Sequence, residues 1–188
     1  MNSNRHFDLL APLYEKVIHP PTVDDWQRRL RLPAGGKILD AGGGTGRIAS
    51  RLVQYGDAVL IVDESAAMLA EAKRKGLQTT NGATENLPFS DHAIDRILMV
   101  DAFHHLSDQT RSVAELWRVL KPGGRLVIEE PDIRTFGVKL IAWGEKLLLM
   151  RSHFWAPDRI AGLFSQKEAA VQIEAMDQTA WVIVDKNE

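Results

Sequence analysis

Asp40, Gly42, Gly44 and Gly46 form the densest cluster of chemically informative residues in the chain. They join a short apolar run, Lys37-Ile38-Leu39, to a helix-forming stretch that opens at Arg47. Glycine at alternate positions leaves room for a ligand or another backbone to approach closely. An acid at the end of a buried strand, followed by such a turn, suits a nucleoside-like ligand at a strand's carboxyl end. The dinucleotide fingerprint is G-x-G-x-x-G. The spacing here is D-x-G-x-G-x-G, so a pyrophosphate would meet the charge of Asp40, whereas a cationic amino group would find a partner there. A second acid, Asp63, ends the next apolar run, Ala58–Val62, and is placed to accept two ribose hydroxyls or to cap the helix that follows.

A third set follows the apolar run Ile94–Val100, namely Asp101, Phe103, His104 and His105. Histidine titrates near neutrality, so His104 or His105 is a candidate general base. The alternative is that one packs and the other bonds a loop carbonyl. Adjacent histidines do not converge on one ion and no third ligand is apparent, so no metal site is expected.

The elements that must position these groups alternate. Strands are expected at Lys37–Asp40, Ala58–Asp63, Ile94–Val100 and Arg125–Glu129. Helices are expected at Arg47–Tyr55, Ala66–Lys75 and Gln109–Leu120, the last stopped by Pro122-Gly123-Gly124. This is an α/β pattern, a mostly parallel sheet with helices on both faces. Gln172–Met176 and Ala180–Asp185 read as a closing hairpin. Phe136–Met150 carries one apolar helical stripe, at 136, 140, 143, 147 and 150. With Trp143, His153, Phe154 and Trp155 it either roofs an apolar acceptor pocket or forms a dimer face.

The 188 residues suit one domain, with 45% apolar and 26% charged residues, and a net charge of −2 offers no basic stripe for nucleic acid. The absence of cysteine excludes disulfides and thiolate metal sites and agrees with a reducing cytoplasm. No run approaches the length of a membrane span.

Five pieces in order carry a family resemblance. They are Ile38-Leu39-Asp40-Ala41-Gly42-Gly43-Gly44-Thr45-Gly46; Val62-Asp63-Glu64-Ser65 with Met68-Leu69; Glu85-Asn86-Leu87-Pro88-Phe89; Phe103-His104-His105-Leu106; and Leu116 through Gly124. The chain resembles the class I S-adenosylmethionine-dependent methyltransferases, and within them the small-molecule type similar to the ubiquinone/menaquinone-biosynthesis enzymes. The resemblance implies a Rossmann-like sheet, mostly parallel with one antiparallel strand near the edge. It implies S-adenosylmethionine as cofactor and a small, partly apolar acceptor methylated by in-line displacement. Asp40 and the Gly42–Gly46 turn would hold the amino-acid part, Asp63 the ribose, Glu64 and Met68 the adenine. Tyr14 would lie in an N-terminal helical cap over 1–32, and 133–165 would be a helical insertion covering the acceptor. His104 and Asp101 are the candidate catalytic residues. Relatives commonly carry an aspartate where this chain has Ala83, so the adenine amino group would rely on Ala83 and Thr84 backbone or hydroxyl groups. Val100-Asp101-Ala102-Phe103 is not the Asn-Pro-Pro-Tyr signature of enzymes that methylate nucleobase amino groups. Two other readings stay open: a non-catalytic relative acting as sensor or subunit, and a nicotinamide-dependent oxidoreductase.

Overall fold

A computed structural model describes residues 23–147, 152–165 and 167–188. Among these residues seven strands form one sheet. They are β1 Lys37–Ala41, β2 Ala58–Asp63, β3 Gln78–Asn81, β4 Ile94–Val100, β5 Leu120–Pro131, β6 Ala169–Met176 and β7 Thr179–Lys186, in the order β3-β2-β1-β4-β5-β7-β6. The first five run parallel to one another, whereas β7 runs antiparallel to both β5 and β6. The α/β expectation with an antiparallel strand near the edge is borne out.

Alternate residues of each central strand face opposite layers. Leu39, Ile97, Ile128 and Val182 join one core with Phe103, Leu116 and Val119, while Ile38, Leu98, Val127 and Trp181 join the other with Trp26, Leu52 and Leu69. Both faces are therefore apolar, which is why these strands read as unbroken hydrophobic runs. Helices α1 Val23–Leu30, α2 Ala49–Leu52 and α3 Ala66–Arg74 supply the second layer, and α4 Gln109–Val119 and α6 Pro157–Gly162 the first. Helix α5, Phe136–Leu147, lies between β5 and α6 in the chain. The helical layers change face between β1 and β4, which creates a crevice at their carboxyl ends.

The structure departs from these expectations in four places. The helix expected at Arg47–Tyr55 is regular only over Ala49–Leu52, because the positive-φ glycines delay winding and Gly56 follows. Strand β3 was not expected, because Gln78-Thr79-Thr80-Asn81 has a mostly exposed edge and no apolar alternation. Pro122-Gly123-Gly124 does not separate a helix from a strand. It bulges within β5, where pairing jumps from Ile94–Leu120 to Arg96–Arg125. The hairpin extends beyond the expected ends to Ala169–Met176 and Thr179–Lys186. Arg125 grips Asp185 through two bonds of 2.6 Å and donates a third to the Arg29 carbonyl at 2.8 Å, tying the hairpin and α1 to β5.

Candidate functional site

The turn after β1 is built into the sheet. The Gly42 amide donates to the Val62 carbonyl at 2.7 Å and so continues the β1–β2 ladder. A Cβ at Gly42 would sit 2.7 Å from the Ala102 methyl, so the turn packs directly on the loop after β4. Gly44 has φ +52°, and a Cβ there would lie 3.1 Å from the Met68 sulfur and 3.9 Å from Asp63 Oδ2. Gly46 differs, since at φ +70° its Cβ would collide with Leu77 and Ile61 in the core. Gly42 lets the turn pack on the β4 loop, Gly44 brings it against Met68 and Asp63, and Gly46 lets the chain pack against the sheet.

Asp63 organises this turn. Its Oδ2 accepts the Gly44 amide at 2.9 Å and its Oδ1 the Ser65 amide at 2.7 Å. The helix cap is Ser65, whose hydroxyl accepts the Met68 amide at 3.3 Å, so capping is not the work of Asp63. Burial pushes the Asp63 carboxyl up, and the two amides pull it back. Each oxygen keeps a lone pair beyond the one it uses. Glu64 is exposed and Met68 half-buried beside the turn. Asn81 Nδ2 donates to the carbonyls of Asp63 and Glu64 at 3.1 and 2.9 Å and fixes this strand end. Ala83 precedes a single 3-10 turn, Thr84–Asn86, in which Thr84 is buried. Glu85 Oε1 ties that turn to the β4 loop by accepting the Ser107 and Asp108 amides, both at 3.0 Å.

Asp40 lies under the turn, where a Cβ on Gly43 would meet its carboxyl carbon at 2.5 Å. Burial raises it to about 7, against the opposing pull of the Ala49 amide and Arg47. Asp101 adopts φ +50°. Burial raises it to about 6, with Glu130 pushing the same way. Arg47 pairs loosely with Asp101, 3.9 Å between Nη2 and Oδ2.

His104 is fully buried, and its Nδ1 lies 2.6 Å from Glu130 Oε2. The other oxygen of Glu130 accepts the Phe103 amide at 2.8 Å. Phe154 stacks on the imidazole at 4.3 Å and 13°. His105 packs 3.9 Å away, and burial with the neighbouring His104 lowers it to about 3. His105 Nδ1 lies 3.3 Å from the Ser152 hydroxyl. Glu129, on the opposite face of β5, accepts the Trp181 indole N–H at 2.6 Å, and burial raises it to about 8.

Segment 152–155 covers the histidines. The His153 amide donates to the His104 carbonyl at 2.7 Å, Gln109 donates to the His153 carbonyl at 2.8 Å, and Trp155 meets Phe103 edge-on at 5.9 Å. Trp143 is not part of this cover, because its side chain is 66% exposed. Tyr14 and most of the expected 1–32 cap lie outside the described residues, as do 148–150 of the expected helix. Sequence reasoning missed Arg47, Glu129 and Glu130. Two successive acids at the end of an apolar strand were the available signal for the glutamates. A hollow of about 520 Å³ lined by His92, Trp117, Lys167 and Lys186 lies at the strands' amino ends, away from these acids.

Residues 39–128 match the methyltransferase domain family. These residues carry a methyltransferase domain. The chain is 39% identical over 111 residues to an uncharacterized methyltransferase of Mycobacterium bovis, covering 57% of this chain and 44% of the relative. It is 31% identical over 152 residues to a demethylmenaquinone methyltransferase of Renibacterium salmoninarum, covering 76% and 64%. The chain thus spans about half to two thirds of the length of these relatives. A Thermotoga maritima methyltransferase described as a possible histamine N-methyltransferase shares the fold, with a TM-score of 0.75, 21% identity and coverage of 96% and 98%. The resemblance to the ubiquinone/menaquinone type is borne out. No helix among the described residues is long and apolar enough to cross a membrane.

Proposed function

We propose that this methyltransferase domain binds S-adenosylmethionine and transfers its methyl group to a small, partly apolar acceptor. The observation that carries the reading is the Asp63–Gly44 contact, which puts an acid with spare lone pairs against the glycine turn at the end of β1. The residues fit the cofactor. Asp63 is placed for the ribose hydroxyls, Glu64 and Met68 flank the adenine position, and Ala83 and Thr84 line its edge. Gly42, Gly44, Gly46 and Asp40 shape the amino-acid end. The cofactor supplies an activated methyl on a sulfonium, so the chain's own task is to place the acceptor, exclude water and move a proton.

Asp40, Asp101 and Glu129 converge from β1, the β4 loop and β5, and a cationic ligand is favoured where buried carboxylates gather. His104 is our general base, with its Nδ1 side held by Glu130. His105 is too weak a base for that role. Phe154 lies on the His104 face, so an acceptor reaches the imidazole by its edge or by displacing Phe154. The roof role falls to the 152–155 end of the 133–165 insertion.

Calorimetric titration with S-adenosylhomocysteine and NAD tests the cofactor. Binding of the sulfur nucleoside alone is expected, and binding of NAD alone overturns the reading. Methyl turnover with a pool of quinols, phenols and amines then tests the acceptor class. In the same titrations Ala83→Asp should tighten binding by restoring an acceptor for the adenine amino group.

A further inference from the structure

Arg47 is the cation among these acids, and the reading above gives it no work. It follows Gly46 at the mouth of the turn, and its side chain is 30% exposed. Its field reaches Asp40, Asp101 and Glu129, three carboxylates from three separate strand ends. Yet its closest approach to Asp101 is 3.9 Å, beyond hydrogen-bond range, and among the described residues its guanidinium donates to none. Four other arginines are committed. Arg125 grips Asp185, Arg134 grips Asp132, and Arg118 bonds Glu115, Asp91 and two carbonyls. Arg29, the other cation felt by Glu129, is stacked 3.7 Å over Trp181 and bonded to Glu174 at 3.0 Å.

The amino-acid end of the sulfonium cofactor is a zwitterion. The carboxylates suit its ammonium and sulfonium but repel its carboxylate. An arginine held in place by the field of several acids, with its planar fork of donors uncommitted, is suited to a carboxylate. We propose that Arg47 binds the cofactor's carboxylate and makes the site select a zwitterionic nucleoside over a purely cationic one. This rests on the cofactor reading above.

The test is titration of wild type, Arg47→Gln and Arg47→Lys with three compounds. These are S-adenosylhomocysteine, decarboxylated S-adenosylmethionine, which lacks the carboxylate, and 5′-methylthioadenosine, which lacks the whole amino-acid end. Arg47→Gln should weaken S-adenosylhomocysteine roughly ten- to a hundredfold, the range for a lost charged hydrogen bond. It should leave methylthioadenosine unchanged and tighten the decarboxylated compound, because the acids lose their internal cation. Arg47→Lys should fall between. Equal losses for S-adenosylhomocysteine and methylthioadenosine would mean that Arg47 only shapes the turn, and full retention of S-adenosylhomocysteine would mean that it does not touch the carboxylate. Either result overturns the proposal while the cofactor reading stands. A folded wild type that binds none of the three overturns both.

Discussion

His104 Nδ1 stands 2.6 Å from Glu130 Oε2, and neither side chain meets solvent appreciably. A buried pair of this kind is strongly felt when one partner is removed, because the other is left uncompensated. It also fixes which imidazole nitrogen carries the proton. His104→Ala should lower turnover about 10²- to 10⁴-fold, the usual contribution of a general base, while cofactor affinity changes little. Glu130→Gln keeps an acceptor for the Phe103 amide but loses the charge, so it should lower kcat and shift the acid limb of the pH–rate profile. Full turnover by folded His104→Ala with a true substrate would make the pair structural.

Asp63 bonds two backbone amides, so its loss should be felt twice. Asp63→Ala should weaken cofactor binding by about 1.5–3 kcal/mol if ribose contacts go with the carboxylate. It should also lower the melting temperature, because the Gly44 and Ser65 amides lose their acceptor. A variant with lowered melting but wild-type affinity would leave Asp63 as a turn brace alone.

Gly46 and Gly76 share a positive φ, +70° and +78°, but not a setting. A side chain at Gly76 meets nothing within 4 Å, whereas one at Gly46 collides with Leu77 and Ile61. Alanine at either pays the left-handed backbone penalty of about 1–2 kcal/mol. Only Gly46→Ala should add overpacking of about 1–3 kcal/mol. Denaturant midpoints that match for the two variants would show that the core yields freely there.

The raised acids give a direction for pH. Asp40 at about 7, Asp101 at about 6 and Glu129 at about 8 hold protons in the folded chain that they lose near pH 4 when unfolded. Stability from these groups therefore declines as pH rises from about 4 through their folded values. His105 is lowered to about 3, which opposes this below its unfolded value near 6.5 and falls silent above it. Between about pH 6.5 and 8 the ligand-free protein should lose melting temperature. A cationic ligand favours the ionised acids, so the ligand-induced rise in melting temperature should grow over the same interval. A ligand-free melting temperature that climbs through this interval would contradict the assignment.

Much of this protein is local enough to be read in one dimension. Strands β1, β2 and β4 show as apolar runs because both faces of each are buried, and Asp40, Asp63 and Asp101 stand at their ends whatever the rest of the chain does. The hairpin of β6 and β7 is legible too, since its turn joins neighbours in sequence. Strand β3 is not, because an exposed polar edge is stabilised by pairing with β2 and not by its own pattern. Nor is the chemistry shared across elements. Glu130 meets His104 across 26 residues, and Arg47 reaches acids from three strands, only because the β4 and β5 crossovers set those strand ends side by side. The residue types at the site were determined by sequence. Which of them neutralise, orient or cover one another was decided by the sheet order, since charges interact through space and not along the chain.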